Sequence, residues 1–242
     1  MKTKLFFATF FLLFSFVFSY EYEEKIEKSF NLNKDGIFEL SNINGKIVVS
    51  THNKNEVLIK AVKSASKKST LDNVKVNFEY KDNKLKIYTE KHRGTCNFKV
   101  DFFVKLPEQI SYVKLESVNG KIDVIGKFKT IDSKTVNGKI MFEGSFTSTN
   151  LKTVNGSINL YVKGDLKGNI SAKTVNGSVK IEMKRNSSFT VNASTINGSI
   201  KTDFEASITR GFVGSKMEGK VNEGKHKINI NTVNGSIKLF KI

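Results

Sequence analysis

Three histidines, one cysteine and 23 acidic residues are the side chains of this 242-residue chain that could carry acid–base, nucleophilic or metal chemistry. Their spacing argues against each. His52, His92 and His226 are scattered and share no metal-ligand spacing, so they read as surface residues. Cys96, in Arg93-Gly94-Thr95-Cys96, has no second cysteine to pair with and no evident activating base, and reads as an idle thiol. A calcium-binding β-stack would place aspartates at repeated offsets, whereas Asp123, Asp132, Asp165 and Asp203 fall at different phases. Polysaccharide-cleaving solenoids need clustered carboxylates with a base or metal, and no cluster stands out along the chain. A site assembled from neighbouring turns of a stack would escape a linear reading. No catalytic, cofactor-binding or metal-ligating residue is assigned, and no cofactor is expected.

The basic side chains say more. The formal net charge is +17, and only Arg93, Arg185 and Arg210 among the 40 basic residues are arginines. Base readout and bidentate phosphate binding favour arginine, so nucleic acid is not an expected partner. A lysine-rich surface attracts anionic polymers such as envelope glycans or acidic lipid headgroups. The same lysines on outward strand faces would also keep a β-stack soluble, and both readings stand.

What must position these groups is a repeat. The phrase Val/Ile-Asn-Gly-Lys/Ser-Ile/Val begins at Ile43 and returns around Asn119, Asn137, Asn155, Asn176, Asn197 and Asn234, with spacings of 18, 18, 21 and 21 from Asn119 to Asn197. Met217-Glu218-Gly219-Lys220-Val221 reads as a worn copy in the longer gap that follows. Three residues after the Asn stand Ile47, Ile122, Ile140, Ile158, Val179, Ile200 and Ile237. Two residues later stand Val49, Val124, Phe142, Leu160, Ile181, Thr202 and Leu239, with mostly polar residues between. Such alternation marks strands with one buried face. Ser or Thr stands two residues before the Asn from Ser117 onward, and Asn-Gly itself favours a sharp turn with positive φ. An antiparallel meander also fits Asn-Gly turns, but gives no reason to repeat one phrase at one phase. The expected fold is therefore all-β: a single-domain β-solenoid of stacked rungs about 18–21 residues long, some 34 Å for seven rungs. The Asn column reads as a turn device with an internal amide ladder rather than as a ligand site. The Asn-X-Ser triplets at Asn155, Asn176, Asn197 and Asn234 read as turn residues, since they would accept glycans only in a eukaryote.

Before the repeat, Lys2 and Lys4 precede an apolar run from Leu5 to Phe18, with Val17-Phe18-Ser19 as a cleavage site. The run is shorter than the ~20 apolar residues that span a bilayer, and residues 1–19 are read as a signal peptide. Residues 20–115 are expected to form irregular β-strands that cap the stack, and 116–242 the strand-repeat solenoid, with 29–242 one continuous domain. No helix is expected beyond the signal, and the strand at Ile237–Ile242 is expected to be an edge open to self-association.

The run Val100-Asp101-Phe102-Phe103-Val104-Lys105-Leu106-Pro107, followed by Val113-Lys114-Leu115-Glu116-Ser117-Val118-Asn119-Gly120-Lys121-Ile122-Asp123-Val124, resembles the bacterial putative-adhesin, or toast-rack, family of β-strand-repeat proteins of unknown function. Phe38 to Val49 resembles the opening of such domains, and the likeness spans 29–242. The resemblance implies an exported stacked β-structure and transfers no catalytic residues. The leading expectation is a non-enzymatic scaffold exported to the periplasm, cell surface or extracellular space, acting as an adhesin or cell-envelope interaction protein. Its expected partners are anionic glycans or envelope polymers, and it has no stable membrane span. The alternatives are a β-helix-type polysaccharide-active enzyme and an envelope sensory or regulatory domain.

Overall fold

The computed structural model describes residues 21–211 and 214–242; the expected signal peptide lies outside the described residues. The strands are β1 (Tyr22–Asn31), β2 (Ile37–Asn44), β3 (Ile47–His52), β4 (Glu56–Ala65), then after a one-turn helix α1 (Lys68–Asp72), β5 (Val74–Lys81), β6 (Lys84–Lys91), β7 (Phe98–Pro107), β8 (Ile110–Asn119), β9 (Ile122–Asn137) and β10 (Ile140–Ser145). There follow β11 (Ser148–Asn155), β12 (Ile158–Val162), β13 (Asn169–Lys173), β14 (Val179–Met183), β15 (Phe189–Asn197), β16 (Ile200–Thr202), β17 (Ser207–Arg210), β18 (Ser215–Val221), β19 (His226–Asn234) and β20 (Ile237–Lys241). The helix is a small departure from the all-strand expectation. Leu71 is its one buried residue, which ties the turn to the core.

These strands build two facing ladders. One runs β1–β4–β7–β3–β9–β10–β12–β14–β20–β16. The other runs β5–β6–β2–β8–β9–β11–β13–β19–β15–β18–β17. The long β9 serves both: Ile122–Lys127 lies in the first ladder, and Phe128–Asn137 in the second. Pairing is parallel through the interior, and antiparallel only towards the ends, where β1, β4, β5, β17 and β18 are added. An all-β, solenoid-like architecture results.

Parallel pairing in register stacks like on like. In the first ladder Ile47, Ile122, Ile140, Ile158, Val179, Ile237 and Ile200 form one inward column, each at most 3 % exposed. Burying a branched aliphatic side chain stabilises by about 1.5–3 kcal/mol, so this column is a main source of stability. The opposing ladder contributes Leu40, Leu115, Ser133, Leu151, Ala172, Ile230 and Ala193, all buried. From Leu115 onward large residues there alternate with small ones, which lets the two inner faces interdigitate.

The order of the rungs departs from the order of the chain. β20, the last strand, is no edge: Ile237 pairs with Val179 on one side and Ile200 on the other. Its Ile237 and Leu239 are fully buried and both of its backbone edges are occupied, which removes the expected basis for self-association there. The edge instead falls to β16, only three residues long. The Met217–Val221 phrase is likewise no rung. It lies in β18, which runs antiparallel to β15, with Ala193 opposite Met217 and Val191 opposite Gly219. Without the Asn there is no amide to continue the stack, and a hairpin with β17 takes its place.

Candidate functional site: the Asn-Gly edge

Each Asn-Gly leads the chain from the second ladder into the first, so all seven line one long edge. Asn119 Nδ2 donates to Asn44 Oδ1 at 2.9 Å, Asn137 to Asn119, Asn155 to Asn137 and Asn176 to Asn155 at 2.8 Å, Asn234 to Asn176 at 2.7 Å, and Asn197 to Asn234 at 2.8 Å. Asn44 closes the line by donating to Phe98 O at 3.3 Å. Behind it lies a hydroxyl column. Thr135, Thr153, Thr174, Thr232 and Thr195 each donate to the carbonyl of the glycine one rung away, at 2.8–3.1 Å.

The glycines serve a different purpose from the one the dipeptide suggests. Only Gly45 among the seven adopts positive φ, at 108°. The other six are needed for close approach: a Cβ on Gly138 would press on the Gly120 carbonyl, and one on Gly156 on the Gly138 carbonyl. Chain stacking, rather than turn handedness, excludes a side chain there.

The outward residues form columns too. Immediately before each Asn stand Ile43, Val118, Val136, Val154, Val175, Val233 and Ile196. Val118 is 43 % exposed and Ile196 49 %, so an apolar stripe runs along the whole edge beside the amides. Linear reading passed over it, although every copy of the phrase carries it. On the second ladder Lys134, Lys152 and Lys173 stand in adjacent rungs. Lys46, Lys121 and Lys139 do the same where the chain enters the first ladder, followed by Ser157, Ser178, Ser236 and Ser199. Lys134, Lys152 and Lys173 are exposed and make no ion pair among the described residues.

The carboxylates are dispersed in lysine pairs, many of them two residues apart on one strand face. Lys121–Asp123 (2.8 Å), Lys114–Glu116 (3.2 Å) and Lys180–Glu182 (2.7 Å) are examples. The bonded Glu116 carboxylate holds Lys114 above the ordinary lysine value, and Glu182 does the same for Lys180. Each of the four principal grooves has one carboxylate on its wall: Glu27, Glu90, Glu116 or Glu205. His52 Nε2 donates to Glu56 O at 2.8 Å, and Cys96 is exposed. His92 lies just past β6 and His226 opens β19, so the fold does not gather the histidines. Among the described residues no three His, Cys, Asp or Glu side chains cluster as metal ligands.

A two-ladder parallel stack with in-register side-chain columns defines a β-solenoid-like strand-repeat protein. Residues 108–240, over half the chain, match the family described as Toastrack DUF4097, and the chain belongs to that family. Among solved structures, it is similar to a putative cell adhesion protein from Clostridium sporogenes ATCC 15579, with 15 % identity over 90 % of this chain and 100 % of that one, TM-score 0.50. It is more loosely similar to a putative adhesin from Bacteroides fragilis NCTC 9343, with 12 % identity, 89 % and 97 % covered and TM-score 0.36. A putative lipid binding protein from Parabacteroides distasonis ATCC 8503 is as loosely similar, with 11 % identity, 91 % and 96 % covered and TM-score 0.36. No curated protein matches the sequence.

Proposed function

We propose that this protein is an exported, non-enzymatic scaffold that holds anionic polymers of the cell envelope along its Asn-Gly edge. Residues 1–19 serve as the signal peptide in this reading, and 29–242 act as one continuous domain of stacked rungs turned at Asn-Gly. The observation that carries it is the set of lysines flanking that edge, above all Lys134, Lys152 and Lys173, which make no ion pair among the described residues. Adjacent parallel strands lie about 4.8 Å apart, so three unpaired cations fall within a span of about 10 Å. That is the Debye length at about 0.1 M salt, so a polyanion meets them as one patch. The exposed Val/Ile stripe offers an apolar bed beside it. The amides offer hydrogen bonds too, since each Asn along the ladder from Asn119 to Asn234 spends one N–H and one lone pair on it and keeps one of each. Carboxylates dispersed in lysine pairs support a binding rather than a cleaving role, because glycoside hydrolysis needs two acids facing one bond. The name of the Clostridium protein agrees with adhesion.

The test is retention on immobilised alginate, a polyuronate, at 50 and 300 mM salt. We expect binding at low salt that weakens at least tenfold at high salt, and that weakens similarly at low salt in the Lys134→Gln/Lys152→Gln/Lys173→Gln variant. Retention that ignores both salt and the three substitutions, or no retention at low salt, overturns the reading.

A further inference from the structure

The outer face of the first ladder carries a second feature, remote in character from the Asn-Gly edge. Where β1, β4, β7 and β3 lie side by side, a groove of about 620 Å³ opens to solvent. Its floor is apolar: Leu58 and Phe103 are 36 % and 37 % exposed, and Val48 stands opposite Phe103 on the next strand. Outward positions of a solvated sheet are ordinarily polar. Three adjacent apolar side chains on such a face therefore mark a place that gains by being covered.

The rim decides what covers it. Lys60 lies directly across from Phe103, and Lys105 directly across from Leu58. On the other flank Lys46 Nζ sits 4.8 Å from the centroid of the Phe103 ring. The only carboxylate on the wall, Glu27, is already 3.6 Å from Lys60 Nζ. Lys105 has no ion pair among the described residues. Ser29 and Ser50 add hydroxyls, standing opposite Leu58 and Lys105. An apolar floor between ammonium groups, with one acid already engaged, complements a molecule that is apolar along its body and anionic at its head.

We infer that this groove binds a monoacyl anionic amphiphile, its chain laid over Leu58, Phe103 and Val48 and its carboxylate or phosphate head at Lys105 and Lys60. Phe103 supplies the largest contact area, and a ring flanked by lysines also keeps its face in an electrostatically favourable setting. A neutral lipid of equal length would fill the floor but leave the head site unused.

The experiment follows 8-anilinonaphthalene-1-sulfonate, itself apolar and anionic, by its emission on binding the full chain. Dodecanoate, dodecyl phosphate and neutral dodecyl maltoside then serve as competitors below their micelle concentrations. Displacement by dodecanoate or dodecyl phosphate at least tenfold better than by the maltoside supports the inference, and the better of the two assigns the head as carboxylate or phosphate. Phe103→Ser and Leu58→Ser are expected to weaken probe binding at least tenfold. Lys60→Gln/Lys105→Gln should lose the preference for anions, and Ile125→Ser, on the same outer face but outside the groove, should change nothing. Equal displacement by the maltoside, or wild-type probe binding in both Phe103→Ser and Leu58→Ser, overturns it. Alginate retention in the same variants reads the Asn-Gly edge separately, so either site can fail without the other.

Discussion

In the middle of the stack the rungs follow the chain: Asn119, Asn137, Asn155 and Asn176 lie in sequence order, each bonded to the last. At both ends the order inverts. β6 and β7 follow β2 and β3 in the chain yet lie outside them. β19 and β20 follow β15 and β16 yet lie inside them. The first and last copies of the phrase are thus each held between two neighbours, while the edges fall to β1 and β16 in the first ladder and to β5 and β17 in the second. The repeat motif dictates which residues stack on which; it leaves open which rung sits next to which. A strand left at an edge can fray or template pairing with another chain; the inversion spares β20 that position, whereas β1 keeps it, paired among the described residues with β4 alone.

The sharpest way to break the comparison is to cut the last half-rung. Deleting residues 235–242 should cost at least about 5 kcal/mol, because Ile237 and Leu239 leave the core and β14 and β16 lose the strand between them. Urea unfolding reads this directly. A truncated chain that unfolds at the wild-type midpoint would mean β20 behaves as a dispensable edge. Next in size is Gly138→Ala, expected to cost about 3 kcal/mol as the new Cβ drives the rungs apart. Gly94→Ala, in the β6–β7 connection with φ of 83° and open space around it, should cost about 1 kcal/mol. Equal losses at the two sites in thermal melts would refute close approach as the reason for the central glycines.

Smaller effects separate the middle from the end of the amide line. Asn155→Ala removes two ladder bonds and Asn197→Ala only one, so about 1.5 and 0.7 kcal/mol are expected at about 1 kcal/mol or less per bond. Chemical denaturation of both variants tests whether the loss scales with the number of partners. The smallest expected change is a gain. Ser133, fully buried between Leu115 and Leu151, has an Oγ without a hydrogen-bond partner among the described residues. Ser133→Ala should raise stability by about 0.5–1 kcal/mol, and a lowered melting temperature would show that the hydroxyl is satisfied after all.

Much of this stack was legible in the chain. The alternation after each Asn revealed the inward columns of Ile47 and Val49 and their counterparts, and a fixed phase favoured parallel stacking over a meander. Rung order was not legible, because identical copies carry no label of their neighbours; connection length and packing choose among them. The rung built from β6 and β7 was missed for a related reason. It lacks Asn-Gly, yet Thr89 donates to Asn42 Oδ1 at 2.9 Å and Phe102 stacks on Ile47, continuing the hydroxyl and aliphatic columns with different residues. The groove over Phe103 was invisible because its wall comes from β1, β4, β7 and β3, which only the antiparallel additions at that end bring side by side.

The amide line has one more property. All its donors point the same way, from Asn197 towards Asn44, and the parallel strands beneath it all run the same way too. Aligned side-chain dipoles of this kind add head to tail and polarise one another. The three lysines at Lys46, Lys121 and Lys139 lie at the end towards which the N–H groups point, and serines at the other. The edge is therefore vectorial: it has a head and a tail, and a strand laid along it in one direction meets a different sequence of charge and dipole than the same strand reversed.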